Sequence, residues 1–368
     1  MSGRILVVTK TRDRRARLEA GGQVRLTVKL RMDLVTFGEA MIRLTPPNSR
    51  RIEQASSFDA HVGGGELNVA VAASRLGVSS RWVSRLATNE LGRMIANRAR
   101  EQGVDLQIDW TTDDARAGLY FAELGASPRA SSVLYDRAHS AISRVAPGTI
   151  DWKVAFAGAR WFHVSGITPA LSDSAAKATR EALIAAKSSG LTVSYDLNYR
   201  GKLWSPEKAR AVQEPLMEYV DVLITTEEDT RVVFGIGESP NSYERLSAEP
   251  YDQVARILAD RFKFDAVAVT LRENPLVLVN NWSAIVLAGS ELHRAPRYEV
   301  EIVDRIGAGD AFSGGLIAAR LENRGWDEAL RLATATSALK HSIPGDFCLV
   351  TRAEVDRLLR GPSLRVSR

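Results

Sequence analysis

The stretch DRIGAGDAFSGG (304–315) packs four glycines and two acids into twelve residues. It follows the apolar alternation of YEVEIV (298–303) and leads into the helical run LIAARLEN (316–323), so it reads as a turn from a strand into a helix. At such a turn the first helix amides are unpaired, point outward and carry the positive end of the helix dipole. Gly307 and Gly309 let the backbone turn tightly and approach a ligand without Cβ interference. The amides of Gly307, Ala308, Gly309 and Asp310 therefore read as a cradle for a phosphate group. The stretch is not the dinucleotide fingerprint, which needs Gly-x-Gly-x-x-Gly early in a βαβ unit, nor a Walker loop, since no Gly-Lys-Ser/Thr follows. Asp310 sets a carboxylate inside this anion site. Two readings of it are open: a general base for a hydroxyl attacking a phosphoryl group, or an acid that complements a helix N-terminus.

The same strand-to-helix alternation recurs from Met32 onward. β-rich runs at LVTFGE (34–39), RWVSRL (81–86), RWFHVSG (160–166), LTVSYDLN (191–198), DVLIT (221–225) and DAVAVTL (265–271) are separated by segments that include helical spacing at 91–102, 172–189, 206–219 and 251–262. This pattern predicts right-handed βαβ units and an α/β fold, a three-layer αβα sandwich around a mainly parallel sheet. The N-terminal third differs. Around MIRLTPP, SSFDAHVGG, AGLYFAELG and SSVLYDR the strands alternate without intervening helices, which predicts a small sheet from segments near 42–62 and 117–136, acting as a lid. The domain is expected to span 32–360, with 361–368 as a tail and GIGESPNSYERLSAEP (235–250) as a surface loop.

At 368 residues and 45% apolar composition the chain can bury a full core. No apolar run approaches the roughly 20 residues a membrane helix needs, and the N-terminus lacks the apolar segment of a secretory signal. We therefore expect a cytoplasmic protein with no membrane partner. The single cysteine, Cys348, fits a reducing compartment and argues against structural zinc. The net charge of +5 raises a nucleic-acid reading, but residues 1–31 hold nine of the 49 basic residues against two of the 44 acids, leaving 40 basic and 42 acidic residues elsewhere. The basic character belongs to an arm without sustained periodicity. We read that arm as an extension outside the domain, or as sequence upstream of a start at Met32, and expect no nucleic-acid partner.

A second motif, HVGGGELNVAVAASRLG (61–77), ends a strand in three glycines and opens a helix whose first turns present Glu66 and Asn68. Gly64 and Gly65 let a polyol hydroxyl lie against bare backbone, and Asn68 offers both donor and acceptor. A flexible turn with an ordinary helix cap fits the same residues. Together the two motifs resemble the ribokinase-type (PfkB) carbohydrate kinases. GGGELNVAVAASRLG stands where that family's N-terminal sugar-binding signature stands, and DRIGAGDAF where D-T-x-G-A-G-D-x-F stands, with Arg305 replacing the usual Thr. The resemblance covers 33 to about 359. It implies a ribokinase-like fold with a β lid, ATP and Mg2+ as cofactors, and Asp310 as base beside the anion hole of Gly307, Ala308 and Gly309.

Within the family the sequence is similar to 2-keto-3-deoxygluconate kinases in AGLYFAEL with Tyr120, VLYDRAHSA with Tyr135 and Arg137, and DLNYRGKLW with Asn198, Arg200 and Trp204. A sugar acid needs a fixed cation, and the planar fork of a guanidinium can bind both carboxylate oxygens. Arg137 on a lid strand and Arg200 past the C-terminal end of a parallel strand are the candidates, although a lone arginine is ordinarily a solvated one. The resemblance of SIPGDFCLV (342–350) to the segment that returns to the site implies that Asp346 holds a sugar hydroxyl; an acid in a Pro-Gly turn is the plain alternative. LITTEEDT (223–230) stands where many relatives have Asn-x-x-Glu, tied to magnesium and phosphate placement, so Thr226 replaces the amide and Asp229 becomes the metal candidate. VTLRENP (269–275) occupies the position of a nucleotide-binding loop, which makes Thr270 and Arg272 ATP contacts, with Asn198, Arg200 and Thr226 on the same side.

The expected activity is transfer of the ATP γ-phosphoryl group to the 6-hydroxyl of 2-keto-3-deoxygluconate. A kinase for a neutral sugar or nucleoside, such as fructose, ribose or adenosine, is the first alternative; a non-catalytic sugar-acid sensor is the second. Lid sheets of this kind can pair between subunits, so a homo-oligomer through the lid is also expected.

Overall fold

Alternate residues of the central strands enter opposite cores, and this sets the layers. The computed structural model describes residues 32–112, 115–237 and 249–361; the basic arm, most of the 235–250 loop and nearly all of the tail lie outside them. The first part of the chain runs β1 (Leu34–Phe37), β2 (Met41–Thr45), β3 (Asp59–Gly63), α1 (Gly65–Arg75), β4 (Ser80–Ala87), α2 (Glu90–Glu101), β5 (Asp105–Thr111), β6 (Gly118–Glu123) and β7 (Ser132–Asp136). Then come α3 (Trp152–Ala155), β8 (Trp161–Ser165), α4 (Ile167–Ala170), α5 (Asp173–Ser188), β9 (Thr192–Asp196), α6 (Pro206–Gln213), β10 (Val222–Thr226) and α7 (Glu227–Phe234). The last part holds α8 (Glu249–Phe262), β11 (Ala266–Leu276), β12 (Val279–Ala288), β13 (Glu291–Arg294), β14 (Tyr298–Glu301), α9 (Ala308–Leu321), α10 (Trp326–Lys340) and α11 (Arg352–Arg360).

The large sheet has the order β13-β12-β11-β10-β9-β8-β1-β4-β5, with β14 also pairing β12. From β11 through β5 all pairings are parallel, and β12 to β14 extend that edge antiparallel. Parallel strands buried on both faces read as continuous apolar runs. On β1, β10 and β11, Leu34, Val222, Ile224, Ala266 and Ala268 face the core built with α1, α9 and α10. Their neighbours Val35, Phe37, Leu223, Val267 and Val269 face the core built with α5 and α8. This is the ribokinase-like α/β architecture. A separate sheet of order β3-β2-β6-β7 forms the small layer.

Two segments differ from the sequence expectation. VTLRENP is not a loop: β11 continues to Leu276 and pairs antiparallel with β12, because Val269 and Thr270 suit a pleated surface and a partner strand follows at once. The helix expected over 206–219 is α only to Gln213 and continues as a 3₁₀ turn, Glu214–Tyr219, where Pro215 has no N–H to donate.

Both motif helices reach the site because α9 has no side chain where it meets its neighbours. A Cβ at Gly314 would lie 2.6 Å from Ala72 Cβ and 2.9 Å from the Val69 carbonyl of α1, and one at Gly315 would lie 2.8 Å from Ala333 Cα of α10. We expect Gly314→Val to destabilise the protein by about 1–3 kcal/mol through overpacking, read as a lower denaturation midpoint. An unchanged midpoint would show that α1 and α9 can separate freely.

Candidate active site

A parallel sheet leaves the C-terminal ends of its strands on one side, and the helices that follow start there. Over those ends lies a cleft of about 580 Å³. Every candidate site residue from the sequence lines it: Gly307, Ala308, Gly309 and Asp310; Gly64, Gly65 and Asn68; Tyr120, Tyr135, Arg137, Arg200 and Asp346; Asn198, Thr226, Asp229, Thr270 and Arg272. Trp204, from a stretch that carried the resemblance, packs into the core instead.

At the centre, Gly307 caps α9 in the left-handed conformation (φ 84°), and a Cβ there would strike the Asp346 carbonyl at 2.1 Å. At Gly309 a Cβ would meet no protein atom within 4 Å, so it would project into the cleft. Asp310 is in the first turn, yet α9 has no side-chain cap. Instead Asn68 Nδ2 donates to Asp310 Oδ2 at 2.7 Å, while Asn68 Oδ1 accepts from Gly64 N at 3.3 Å. The asparagine thus joins the glycine turn to the acid, which also complements the N-terminus of α9 from its first turn. Burial pushes the Asp310 carboxyl up to about 6; the Asn68 amide and the Arg200 charge hold it down, and Asp346 pushes it further up. Glu66, presented by the same helix, points away from the cleft. It accepts from the Ser165 amide (2.9 Å), Ser165 Oγ (2.7 Å) and Thr168 Oγ1 (2.8 Å), and burial raises it to about 7.

The lid supplies one wall. Tyr120 on β6 donates its hydroxyl to Asp346 Oδ2, and Arg43 on β2 donates to Asp346 Oδ1 at 3.2 Å and pairs with Asp304 at 2.7 Å. Asp346 therefore organises the junction of lid and core; its four lone-pair sites still leave acceptor capacity toward the cleft. Arg137, just past β7, is buried and ion-paired with Glu39, which also accepts from Ser140 Oγ at 2.5 Å. Its guanidinium lies 5.3 Å from the centre of the Tyr135 ring, and its Nε is a buried donor with no partner among the described residues. Arg200 is exposed at the mouth, bonded to the Tyr199 carbonyl at 3.1 Å.

At the other end two carboxylates, Asp196 and Asp229, feel each other's charge. Asp196, at the C-terminal end of β9, is held well above the usual carboxylate range by burial and by the charges of Asp229 and Asp310. Burial also raises Asp229, whose backbone amide donates to Thr226 Oγ1 at 3.1 Å, so Thr226 works as the cap of α7. Asn198, in the left-handed region at φ 39°, turns back on Asp196 through its own amide at 3.1 Å. Thr270 and Arg272 line this end from a strand, with Arg272 paired to Glu228 at 3.2 Å. Arg305, the departure from the family signature, bonds the Val277 carbonyl between β11 and β12 at 2.8 Å. Among the described residues no three His, Cys, Asp or Glu side chains are grouped to hold one ion. The two half-buried acids Asp196 and Asp229 instead fit a metal that keeps its waters and arrives on phosphates, the usual habit of Mg2+.

Sequence reasoning missed Glu39, Arg43 and Asp196. Asp196 stood at a strand's C-terminal end in a sheet that binds ligands there, which was a usable signal. Arg43 inside MIRLT had none, since its two partners are brought to it only by the fold.

The site can be set beside known proteins. Residues 31–346 match the profile of the pfkB family carbohydrate kinases. The 2-dehydro-3-deoxygalactonokinase of Haloferax volcanii is 41% identical over 337 residues, 91% of this chain and 99% of that protein. The crystal structure of 2-dehydro-3-deoxygluconokinase from Thermotoga maritima superposes with a TM-score of 0.85 at 44% identity, covering 90% of this chain and 98% of that one. Fructokinase from Xylella fastidiosa with bound ATP shares the fold at a TM-score of 0.70 and 22% identity, covering 90% and 99%. With both signatures meeting at Asp310 in one cleft, the chain belongs to the pfkB family of carbohydrate kinases.

Proposed function

We propose that this carbohydrate kinase transfers the γ-phosphoryl group of ATP to the 6-hydroxyl of 2-keto-3-deoxygluconate. The observation that carries the reading is that two guanidiniums, Arg137 and Arg200, line one cleft with an elevated, half-buried carboxylate, Asp310. Arg137 is fixed by Glu39 and retains an unpartnered donor, and Arg200 makes no ion pair among the described residues. Relatives named for 2-dehydro-3-deoxy sugar acids support that acceptor class.

In this reading the acceptor lies between the lid tyrosines and Asp310. The hydroxyl oxygen attacks the γ-phosphorus as the bond to the β-phosphate oxygen breaks, ADP leaves, and the proton passes to Asp310. With Oδ2 held by Asn68, Oδ1, beside Gly65, is the oxygen that takes it. The amides at the start of α9 bind the charge that develops on the transferring group. Mg2+ bound with the nucleotide would neutralise charge on its phosphates, with Asp196 and Asp229 as the carboxylates at that end. Closure by the lid excludes water that would hydrolyse ATP. We place the activity in the cytoplasm; no helix among the described residues is long and apolar enough to cross a membrane. Pairing of lid sheets between two copies belongs to the same reading.

Only ionised Asp310 can act as base, so kcat/KM should be full above its value of about 6 and fall as pH drops through it. Asn68→Ala removes a donor that favours the charged form, so the acid limb should move to higher pH. Asp310→Asn should fold and bind ATP yet lose about 10²-fold or more in turnover. A flat profile through this range, or an active Asp310→Asn, would remove the base from the mechanism.

The acceptor is tested by ADP release across sugars, sugar acids and nucleosides. Arg200→Ala is the cleaner variant, because truncating Arg137 also strands Glu39 in the interior. Losing a charge-assisted hydrogen bond of about 1.5–3 kcal/mol should lower kcat/KM about 10- to 150-fold for the acid, with Lys restoring only part. A neutral analogue should be nearly unaffected. Equal losses on both substrates would assign Arg200 to ATP or the fold and favour a neutral-sugar kinase.

A further inference from the structure

Behind the anion hole lies a lysine that the proposed mechanism does not use. Lys340, in the last turn of α10, is 0% exposed. Its ammonium donates to the Ile343 carbonyl at 3.0 Å and the Asp304 carbonyl at 3.3 Å. Those carbonyls belong to the two segments that build the hole. Asp304 begins the signature turn, and its carboxylate accepts from Ile306 N (3.0 Å) and Gly345 N (2.9 Å). The second segment carries Asp346, whose carbonyl abuts Gly307. The His341 carbonyl joins the two segments again, accepting from Val303 N at 2.8 Å and Asp304 N at 3.0 Å.

Two consequences follow. A trans peptide sets its C=O and N–H in opposite directions, so turning the Asp304 carbonyl toward Lys340 turns the next N–H away from the core. The charges also balance in a group of four: Asp304 and Asp346 against Arg43 and Lys340. Without Lys340 that group carries a net negative charge directly behind a site built for an anion. Burying an ammonium is expensive, and a Met of similar length would fill the space more cheaply if packing were the only demand.

We propose that Lys340 is a positioning residue for phosphoryl transfer: its buried ammonium clamps the Asp304 and Ile343 segments together and keeps the charge behind the anion hole balanced. Its influence reaches the base, since its charge is among those that lower the Asp310 carboxyl. The inference rests on the kinase reading but not on which acceptor is used.

The test uses the full chain with any acceptor the wild type phosphorylates. A wild type that ignores sugar acids but uses another acceptor sinks only the acceptor assignment. For Lys340→Met, with native circular dichroism and a cooperative melt, kcat should fall about 10- to 100-fold while acceptor KM and ADP affinity stay within about threefold. A kcat within about twofold of wild type, or a loss carried by KM or ADP affinity, overturns the proposal. If Met prevents folding, Lys340→Arg decides: folded with more than about a tenth of wild-type kcat supports the clamp, and any other result overturns it. If the wild type phosphorylates no acceptor, calorimetric affinity for β,γ-imido-ATP replaces kcat, with about a tenfold loss expected against unchanged ADP binding, and equal affinities overturning the proposal.

Discussion

One guanidinium facing two carboxylates holds the site together. Arg43, Asp304 and Asp346 are 1%, 2% and 3% exposed, and they come from the lid, the signature turn and the C-terminal loop. Each acid then makes its own local contacts. Asp304 fixes the amides of Ile306 and Gly345, and Asp346 receives the Tyr120 hydroxyl. The pairing therefore couples the signature turn to the lid sheet. A buried ion pair of this kind gains little net stability over an apolar replacement, but breaking it strands a charge in the interior. Its value lies in geometry.

The same logic explains the glycines. Gly64 was read with Gly65 as bare backbone for a ligand, yet its missing side chain, like that of Gly63, makes room for protein: a Cβ at Gly63 would lie 2.1 Å from Asp346 Oδ2, and one at Gly64 1.9 Å from the Glu39 carbonyl. Gly65 and Gly309 have more freedom and border the cleft. Only part of the motif is thus kept open for a substrate, and the rest lets three segments meet.

Most of the architecture was legible because parallel βα repeats write two periodicities into the chain, and strands buried on both faces stand out as apolar runs. The two glycine motifs were legible because few other residues can make those turns. What escaped was long-range polar pairing. Arg137 reads as a free cation until Glu39 is brought against it, and Arg43 reads as a solvated residue on an alternating strand until Asp304 and Asp346 enclose it. The 269–275 segment was misread for a related reason: whether a short run is a loop or a hairpin arm depends on the strand that returns beside it.

The lid's edge strand has a consequence of its own. Among the described residues β7 pairs as a strand only with β6, its residues alternate between exposed and half-buried, and Lys202 Nζ donates to its Val133 carbonyl at 2.5 Å. The signature turn, by contrast, is locked at Gly307, where an added Cβ would strike the Asp346 carbonyl. Side chains on β7 can therefore be exchanged without disturbing the signature turn. Such a division gives an ancestral kinase a route to new acceptors by small changes at one free margin, while the transfer chemistry is inherited intact.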